Sequence, residues 1–320
     1  MDLIFLGTSS GVPTKQRNVS GVALTEPQGR GWFLIDCGEG TQHQLLHTRL
    51  SAAQLKAILI THVHGDHCYG LPGLLASAAM SGRQAPLTII APAGIAEWLE
   101  AVQAHTALAL PYALDFVATE TLDEITIGAY RIQSTPLSHR VPSYAYQFTE
   151  HAVEGQLKVQ ALKAAGIPAG PLWGQLQRGH DVQLNGQTYC SADYVDAQRA
   201  PRQVVIAGDN DTPSLLTEAC RHAQLLIHEA TYTQDIAQKV GDVGHSDAAR
   251  VTQFAEQQGL PALILTHFSP RYHLDPRHSP SLSELEAEAG AAYTGTLKLA
   301  QDFDHYHLDK NGQLTQKTET

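Results

Sequence analysis

Cysteine is scarce in this sequence, and its placement limits what the thiols can do. The 320 residues include only Cys37, Cys68, Cys190 and Cys220, and no two of them have CxxC spacing. A chain of this length can bury a substantial core without covalent crosslinks. The sequence therefore argues against a disulfide framework and predicts reduced thiols.

Long apolar runs are also missing. No stretch approaches the length of a membrane-spanning helix, and no charged segment leads into an apolar one at the start. Leu3–Leu6 instead predicts a first strand. We expect a soluble, cytoplasmic protein with no membrane partner.

Basic residues are fewer than acidic residues in this sequence. The chain has 21 Lys and Arg against 32 Asp and Glu, for a net charge of -11. Phosphate contacts require cations, so this balance argues against nucleic-acid binding over the whole surface. It does not exclude a local channel that holds bound metal.

Short apolar, β-rich runs alternate with stretches of helical periodicity. The predicted strands are Leu3–Leu6, Gly21–Leu24, Trp32–Ile35, Ala57–Ile60, Leu87–Ile90, Arg131–Ser134, Tyr144–Phe148, Val204–Ala207, Leu225–Ile227, Ala262–Leu265 and Thr296–Leu299. The predicted helices are Thr41–Thr48, Pro72–Met80, Ile95–His105, Pro213–Arg221, Ser246–Gln258 and Leu282–Gly290, with Ser246 as an N-cap. We predict an α/β protein whose two sheets pack together under outer helices.

Residues 150–199 interrupt this alternation. A short helical run at Gln156–Ala165 precedes a segment rich in Gly and Pro. The segment is too long for an ordinary connection, so we predict an inserted arm within residues 1–320, which otherwise form one domain. Its charges balance, with four basic residues (Lys158, Lys163, Arg178, Arg199) and four acidic ones (Glu154, Asp181, Asp193, Asp196).

Four side chains that commonly bind metals follow the predicted strand Ala57–Ile60. They are His62, His64, Asp66 and His67, in the pattern HxHxDH. Imidazole and carboxylate together suit zinc and related divalent ions. A lone histidine would more often be an ordinary loop residue, but four such residues in six favour a metal site.

Three further candidates follow later strands. His139 comes after Arg131–Ser134, Asp209 after Val204–Ala207 and His267 after Ala262–Leu265. Each is weak evidence alone. Together with the loop they make seven ligands, a number that suits two metal ions sharing one carboxylate.

HxHxDH followed by His, Asp and His at later strand ends resembles the metallo-β-lactamase fold superfamily. The resemblance implies a four-layer αβ/βα sandwich with a dinuclear site at its edge, holding two Zn²⁺ per subunit, or Mn²⁺ or other divalent ions. It also implies a division of the ligands. His62, His64 and His139 would hold one ion, Asp66, His67 and His267 the other, and Asp209 would bridge them.

Further motifs resemble the tRNase Z family, which processes the 3′ end of tRNA. They are "FLGTSSGVPTKQRN", "DCGEGTQHQLL", "HVHGDHCYGLPGLL", "HEAT" and "GHS". The resemblance implies a precursor tRNA substrate, a homodimer, and a protruding arm in which Gly170 and Pro171 contact tRNA. Two positions differ: Asp247 stands where Ser or Thr is usual, and Asn210 where Thr is common.

The predicted chemistry is metal-assisted hydrolysis of a phosphodiester. Asp66 is the candidate to accept the proton of the attacking water, and His245, oriented by Glu229, is the candidate acid. Asp36 is expected to brace the metal loop by hydrogen bonds rather than to bind metal. The candidate substrate contacts are Lys15, Arg17, Asn18 and Arg271.

Two alternatives share parts of this pattern. The first is a hydrolase of the same fold that acts on a small phosphodiester, a thioester or a lactam, since HxHxDH alone does not distinguish it. The arm and the loops Pro13–Asn18 and His228–Thr231 argue against it. The second is a non-catalytic RNA-binding protein on a decayed hydrolase fold, which a complete set of seven ligands disfavours.

Overall fold

Strands and helices alternate along the chain as the hydrophobic pattern predicts. This computed structural model of the protein describes residues 1–151, 153, 155–196 and 199–317. The strands are β1 (Asp2–Gly7), β2 (Gly21–Thr25), β3 (Trp32–Ile35), β4 (Leu55–Leu59), β5 (Leu87–Ala91), β6 (Leu114–Ala118), β7 (Ile125–Ile127), β8 (Tyr130–Leu137), β9 (Ser143–Glu150), β10 (Val182–Leu184), β11 (Gln187–Tyr189), β12 (Gln203–Ala207), β13 (Leu225–Glu229), β14 (Ala262–Thr266), β15 (Thr296–Leu299), β16 (His305–Leu308) and β17 (Leu314–Lys317). The α-helices are α1 (Thr41–Leu45), α2 (Gly65–Cys68), α3 (Leu71–Met80), α4 (Gly94–Thr106), α5 (Val159–Ala164), α6 (Pro171–Gln177), α7 (Ser191–Tyr194), α8 (Thr217–Cys220), α9 (Gln234–Val240), α10 (Ala248–Gln257) and α11 (Leu282–Ala292).

Two mixed sheets form the framework. The eight-stranded sheet has the order β17-β16-β1-β2-β3-β4-β5-β6, and the seven-stranded sheet has the order β15-β14-β13-β12-β9-β8-β7. Strands β3 to β6 run parallel in the first sheet, and strands β12 to β15 run parallel in the second. Parallel strands present their carboxyl ends together, and loops there are where α/β proteins place ligands.

Three apolar layers hold the sheets and helices together. The central layer combines residues of both sheets, such as Phe5, Leu59, Tyr146 and Ile227. A second layer packs α3 and α4 on the outer face of the first sheet, and a third packs α10 and α11 on the second. Because both faces of each sheet are covered at its centre, central strands such as β3 and β12 are almost continuously apolar. The predicted four-layer αβ/βα sandwich is confirmed.

The chain divides into two compact units. The sandwich unit comprises Met1–Thr149 and Arg202–Thr320, and the arm unit comprises Glu150–Pro201. The arm unit contains the hairpin β10–β11 and helices α5 to α7, packed on four buried side chains: Leu162, Ile167, Leu176 and Val182. Trp173 packs against this core and donates through Nε1 to the Ile167 carbonyl oxygen at 2.9 Å. Glu154 lies outside the described residues.

Several local predictions were wrong. Strands β6, β7, β10, β11, β16 and β17 had no counterpart in the predicted list, and the predicted helix Pro213–Arg221 is a 3₁₀ turn at Pro213–Leu216 followed by α8. The cap of α10 is Asp247, whose side chain accepts from the Arg250 amide, and not Ser246. Ser246 instead donates to the Asn210 carbonyl oxygen at 2.6 Å. In the described ranges, no helix is both long enough and apolar enough to span a bilayer.

Candidate metal centre

Seven histidine and aspartate side chains meet beyond the ends of four strands. The loop His62–His67 follows β4, His139 follows β8, Asp209 follows β12 and His267 follows β14. All seven lie in the sandwich unit. They form groups whose potential ligand atoms lie within 4.8 Å of one another. The strand-end prediction thus located residues that the fold brings together.

One group contains three histidines and one aspartate. Nε2 of His62 and Nε2 of His139 each lie 3.1 Å from Nδ1 of His64. Oδ2 of Asp209 lies 3.6 Å from the His62 nitrogen and 3.7 Å from the His139 nitrogen. Four ligand atoms therefore surround one point.

The second group contains Asp66, His67 and His267. Nε2 of His67 lies 3.3 Å from Nε2 of His267, and Oδ2 of Asp66 lies 3.5 Å and 3.4 Å from these two nitrogens. Oδ1 of Asp209 lies 3.4 Å from His67 and 3.3 Å from His267. The two oxygens of Asp209 thus face different groups.

Hydrogen bonds on the far side of each ring fix which nitrogen faces the centre. His139 donates through Nδ1 to the Gly244 carbonyl oxygen at 2.6 Å, and His67 donates through Nδ1 to Oδ2 of Asp36 at 2.7 Å. Nδ1 of His62 lies 3.1 Å from the Thr61 hydroxyl, and Nδ1 of His267 lies 3.0 Å from the Thr231 hydroxyl. In the neutral form of each ring, Nε2 is then the unprotonated nitrogen, as metal binding requires.

The charge of the site also fits a cation. Asp36, Asp66, Asp209 and Glu229 are carboxylates gathered at its base, and among the described residues none forms an ion pair with Lys or Arg. Buried carboxylates are costly unless a cation or hydrogen bonds compensate them. Burial opposes a charge on His67, yet Asp209, Asp36 and Asp66 raise its pKa well above the usual value. A bound divalent cation would satisfy the same carboxylates.

Asp36 braces one candidate ligand of each group, as predicted. Its Oδ1 accepts from the Thr61 amide at 2.8 Å, and its Oδ2 accepts from the Thr61 hydroxyl at 2.9 Å as well as from His67. The Thr61 hydroxyl is then free to accept from His62. One carboxylate therefore orients two candidate ligands, directly and through a threonine.

Glu229 forms a similar set of hydrogen bonds near His267 and His245. It accepts a short hydrogen bond from the Thr231 hydroxyl, which faces Nδ1 of His267. Its Oε1 lies 3.0 Å from Nδ1 of His245 and accepts from the Asn210 amide at 2.8 Å. Burial alone would lower the pKa of His245, but the Glu229 carboxylate raises it. Sequence reasoning paired His245 with Glu229 but missed both threonines.

Two of these residues have left-handed backbone conformations. Asp36 has φ 61° and His267 has φ 58°. Non-glycine residues adopt this region at a cost of about 1 kcal/mol or more, and such residues concentrate at functional sites. The packing around Asp36 and His267 therefore stabilises a backbone conformation that a non-glycine residue disfavours.

A cavity of about 420 Å³ opens over the candidate metal ligands His64, Asp66 and Asp209. Residues Ser10–Pro13 line one side, and the Gly11 amide donates to Oδ2 of Asp66 at 2.7 Å. The exposed Arg140 and the half-buried His245 also line it. Arg140 was missed, although it directly follows the candidate ligand His139.

The predicted substrate residues lie in different settings. Lys15 is exposed in the loop that begins at Gly11, whereas Asn18 is half-buried at the base of that loop. The Asn18 amide donates to Oδ2 of Asp302 at 2.6 Å. Arg271 is exposed, with its guanidinium 5.1 Å from the centre of the Tyr232 ring. Gly170 and Pro171 belong to the arm unit, where Pro171 begins α6.

Arg17 is buried, which the sequence did not indicate. Only 4% of the residue is exposed, and Nη2 donates to the Tyr272 carbonyl oxygen at 3.0 Å. The guanidinium lies 5.8 Å from the centre of the Phe268 ring. In this structure Arg17 therefore braces the loop from within. Tyr272 is also buried, and its hydroxyl accepts from the Thr233 amide at 2.6 Å.

The fold and the site define a class. A four-layer sandwich with histidine and aspartate side chains clustered at its strand ends, as a candidate metal site, is the metallo-β-lactamase fold. A metallo-beta-lactamase fold protein of Bacillus subtilis, YhfI, matches 95% of this chain and 98% of its own with a TM-score of 0.65 at 19% identity, a likeness of fold alone. The chain belongs to the ribonuclease Z family.

Two relatives establish that family membership, and one solved structure shares the fold. Ribonuclease Z of Pseudomonas putida (strain W619) is 52% identical over 319 residues, covering 99% of each chain. Ribonuclease Z of Marinobacter nauticus is 50% identical over 320 residues, covering 98% of each chain. The short form of human tRNase Z is 25% identical with a TM-score of 0.64, covering 95% of this chain and 98% of its own.

A family model described as Anti-Pycsar protein Apyc1 matches residues 1–151. The matched segment includes the loop His62–His67 and His139. It ends before Asp209, Glu229, His245 and His267. The match therefore covers only the candidate ligands up to His139, whereas the ribonuclease Z relatives cover all seven.

Proposed function

We propose that this protein is a zinc-dependent endoribonuclease that removes the 3′ trailer from precursor tRNA and leaves a tRNA 3′-hydroxyl. Identity of 52% to a ribonuclease Z over 99% of both chains carries the proposal. The clustered histidines and aspartates support it, because two-metal sites are a common solution for phosphodiester hydrolysis.

The site would hold two Zn²⁺ ions, with Mn²⁺ or other divalent ions as substitutes. His62, His64 and His139 would hold one ion, and Asp66, His67 and His267 the other. Asp209 would bridge, since each of its oxygens faces one group. When bound, the ions polarise the phosphate and lower the pKa of water toward about 7.

Asp66 is the proposed acceptor of the proton from the attacking water. Burial alone would raise the pKa of Asp66, but His67 and His267 hold it far below the usual value. The carboxylate is therefore ionised when substrate arrives. Its hydrogen bond from the Gly11 amide also fixes it beneath the cavity that substrate would enter.

His245 is the proposed donor of the proton to the leaving 3′-oxygen. Its Nδ1 lies against Glu229, and the residue lines the cavity. The carboxylate favours the protonated imidazole, which is the form an acid needs. Cations bound nearby would lower that pKa again, which brings the group closer to neutrality.

Cationic residues at the cavity and near it would bind the RNA backbone. Arg140 lines the cavity, and Arg271 lies over Tyr232, whose ring packs edge-on against His245 at 6.1 Å between centroids. Lys15 would contact phosphate from the loop, and Asn18 and Arg17 would set that loop's position. This local set of cations answers the objection raised by a net charge of -11.

The arm unit would recognise the body of the tRNA, through Gly170, Pro171 and their neighbours. A homodimer is part of the proposal by family resemblance. We place the enzyme in the cytoplasm. All four cysteines are unpaired in the structure, which suits a reducing compartment.

The test is cleavage of a labelled precursor tRNA that carries a 3′ trailer. Wild type should make a single cut at the 3′ end of the tRNA body, and Asp66→Ala should cut roughly 10²–10⁴-fold more slowly. Asp235→Ala, which removes an exposed carboxylate from α9, is the matched control and should cut normally. Metal content is measured on all three proteins.

A metal-loaded wild type that leaves precursor tRNA intact would sink the proposal. Hydrolysis of a small phosphodiester, thioester or lactam by that same protein would then identify it as a small-substrate hydrolase.

A further inference from the structure

An exposed aromatic ring stands at the rim of the cavity. Tyr69 is 64% exposed, and it lines the cavity together with Asp66, Asp209 and His245. Apart from imidazoles, it is the only aromatic side chain among the described residues that line this cavity. Aromatic rings contribute large contact areas when covered, so an exposed ring beside a reaction centre suggests a ligand contact.

The ring is held in place although it is exposed. A Cβ atom built on Gly65 would lie 2.2 Å from Cε2 of Tyr69, so the ring packs directly on the glycine backbone. The Tyr69 amide donates to the Gly65 carbonyl oxygen at 2.9 Å. The Trp98 ring lies beside it, with centroids 6.2 Å apart and planes at 36°. Gly65 therefore leaves room for a ring directly next to His64 and Asp66.

The cavity has a polar part and an apolar part. His64, Asp66, Asp209, Arg140 and His245 supply groups that suit a phosphate and the ions that bind it. Tyr69, Val12 and Pro13 supply apolar surface that a phosphate does not use. A volume of about 420 Å³ falls within the roughly 300–1,000 Å³ of small-ligand sites. One nucleotide combines the two chemistries that this cavity offers.

We infer that Tyr69 is a stacking platform for the nucleobase of a nucleotide adjoining the scissile phosphate. The inference rests on the proposed function, since it names a subsite for the same RNA. Stacking uses the face of a base and not its edges, so it tolerates any sequence. A tyrosine platform would therefore accept any of the four bases at this position.

Three substitutions separate stacking from packing. Tyr69→Phe retains the ring and should cleave precursor tRNA as wild type does. Tyr69→Leu and Tyr69→Ala remove the aromatic face and should lower kcat/KM roughly tenfold, within the range expected for one base–aromatic stack. Phe116→Ala is the matched control, because Phe116 is an exposed aromatic residue outside the cavity, on β6. It should leave cleavage unchanged.

Abasic substrates then ask whether the lost interaction involves a base. Precursor tRNAs are prepared with an abasic site at the nucleotide on either side of the cut. At one of these positions, wild type should lose about as much kcat/KM as Tyr69→Ala loses on the intact substrate. Tyr69→Ala should lose little more on that abasic substrate. Metal content and the thermal transition of each variant show that the site is intact.

Two results would overturn the inference. In the first, Tyr69→Leu and Tyr69→Ala cleave as well as wild type. In the second, Tyr69→Ala is slower than wild type by the same factor on the intact substrate and on both abasic substrates. If sedimentation then shows an altered oligomeric state, the ring is a subunit contact. Failure of wild type to cut any precursor tRNA would instead refute the proposed function.

Discussion

The sandwich unit and the arm unit differ in how firmly their side chains are held. In the sandwich, three apolar layers flank two sheets, and each proposed metal ligand is positioned by hydrogen bonds or by packing. The arm unit rests on four buried apolar side chains. A unit of this size buries too little surface for high stability.

This difference matches the two tasks that the proposed function assigns. Hydrolysis needs ligands held to within a fraction of an ångström, so residues around Asp36 and Glu229 form closed hydrogen-bond networks. Recognition of a large RNA can tolerate a less stable element. Changes in the sandwich site should therefore alter turnover, and changes in the arm core should alter KM.

His245→Ala is expected to have the largest effect of the three substitutions considered next. Loss of an acid should lower kcat for precursor tRNA roughly 10²–10⁴-fold with little change in KM. Hydrolysis of bis(p-nitrophenyl) phosphate should be nearly unaffected, because p-nitrophenolate leaves without a proton. The two substrates are compared by steady-state kinetics, and metal content is measured in parallel.

Metal content decides between two roles for His245. Its ring also lies near Asp209 and His267, close enough to form a third group of potential ligands. If His245→Ala loses metal and both activities together, the residue is a ligand and the acid assignment is wrong.

Asp36→Asn should have an intermediate effect. The amide keeps the shape of the side chain but loses the charge that accepts from His67 and Thr61. Outer hydrogen-bond partners of metal ligands are typically worth about 10–100-fold in metal affinity or activity. Competition with a chelator measures the affinity. Asp2→Asn is the matched control, since Asp2 bonds His307 at 2.5 Å outside the metal centre. An unchanged affinity in Asp36→Asn would contradict the bracing role.

The sequence located the clustered candidate ligands because imidazoles and carboxylates after apolar strands form a visible pattern. It also indicated Asp36 and the pairing of His245 with Glu229. Threonine hydroxyls at Thr61 and Thr231, and the Gly11 amide that reaches Asp66, carry no such pattern. Their roles depend on the three-dimensional contact and not on residue type.

The strands also divide into those that the sequence predicted and those that it did not. Long apolar strands in the sheet centres were predicted to within a few residues, because burial on both faces enforces their composition. The missed strands are short or peripheral. The sequences HYHL of β16 and LTQK of β17 bury few side chains, so their hydrophobic signal is weak. The burial of Arg17 was not predicted, because a cation in a polar loop was expected to be exposed.

Leu176→Ala tests the arm and should have the smallest effect. Leu176 is fully buried in a four-residue core, and truncation of such a leucine costs about 2–5 kcal/mol. A unit this small should then open locally while the sandwich stays folded. We expect KM for precursor tRNA to rise roughly tenfold, as the loss of about 1.4 kcal/mol of binding would cause. Turnover of bis(p-nitrophenyl) phosphate should not change.

Hydrogen exchange shows where the destabilisation occurs. Amides of α5 and α6 should exchange much faster in Leu176→Ala, whereas those of β12 and β13 should keep their protection. Leu226→Ala, on β13 in the outer layer of the second sheet, is the matched control and should lower the thermal transition of the sandwich instead. If the arm amides exchange freely and KM stays at the wild-type value, the arm does not bind the substrate, because recognition of the tRNA body requires the arm to be folded.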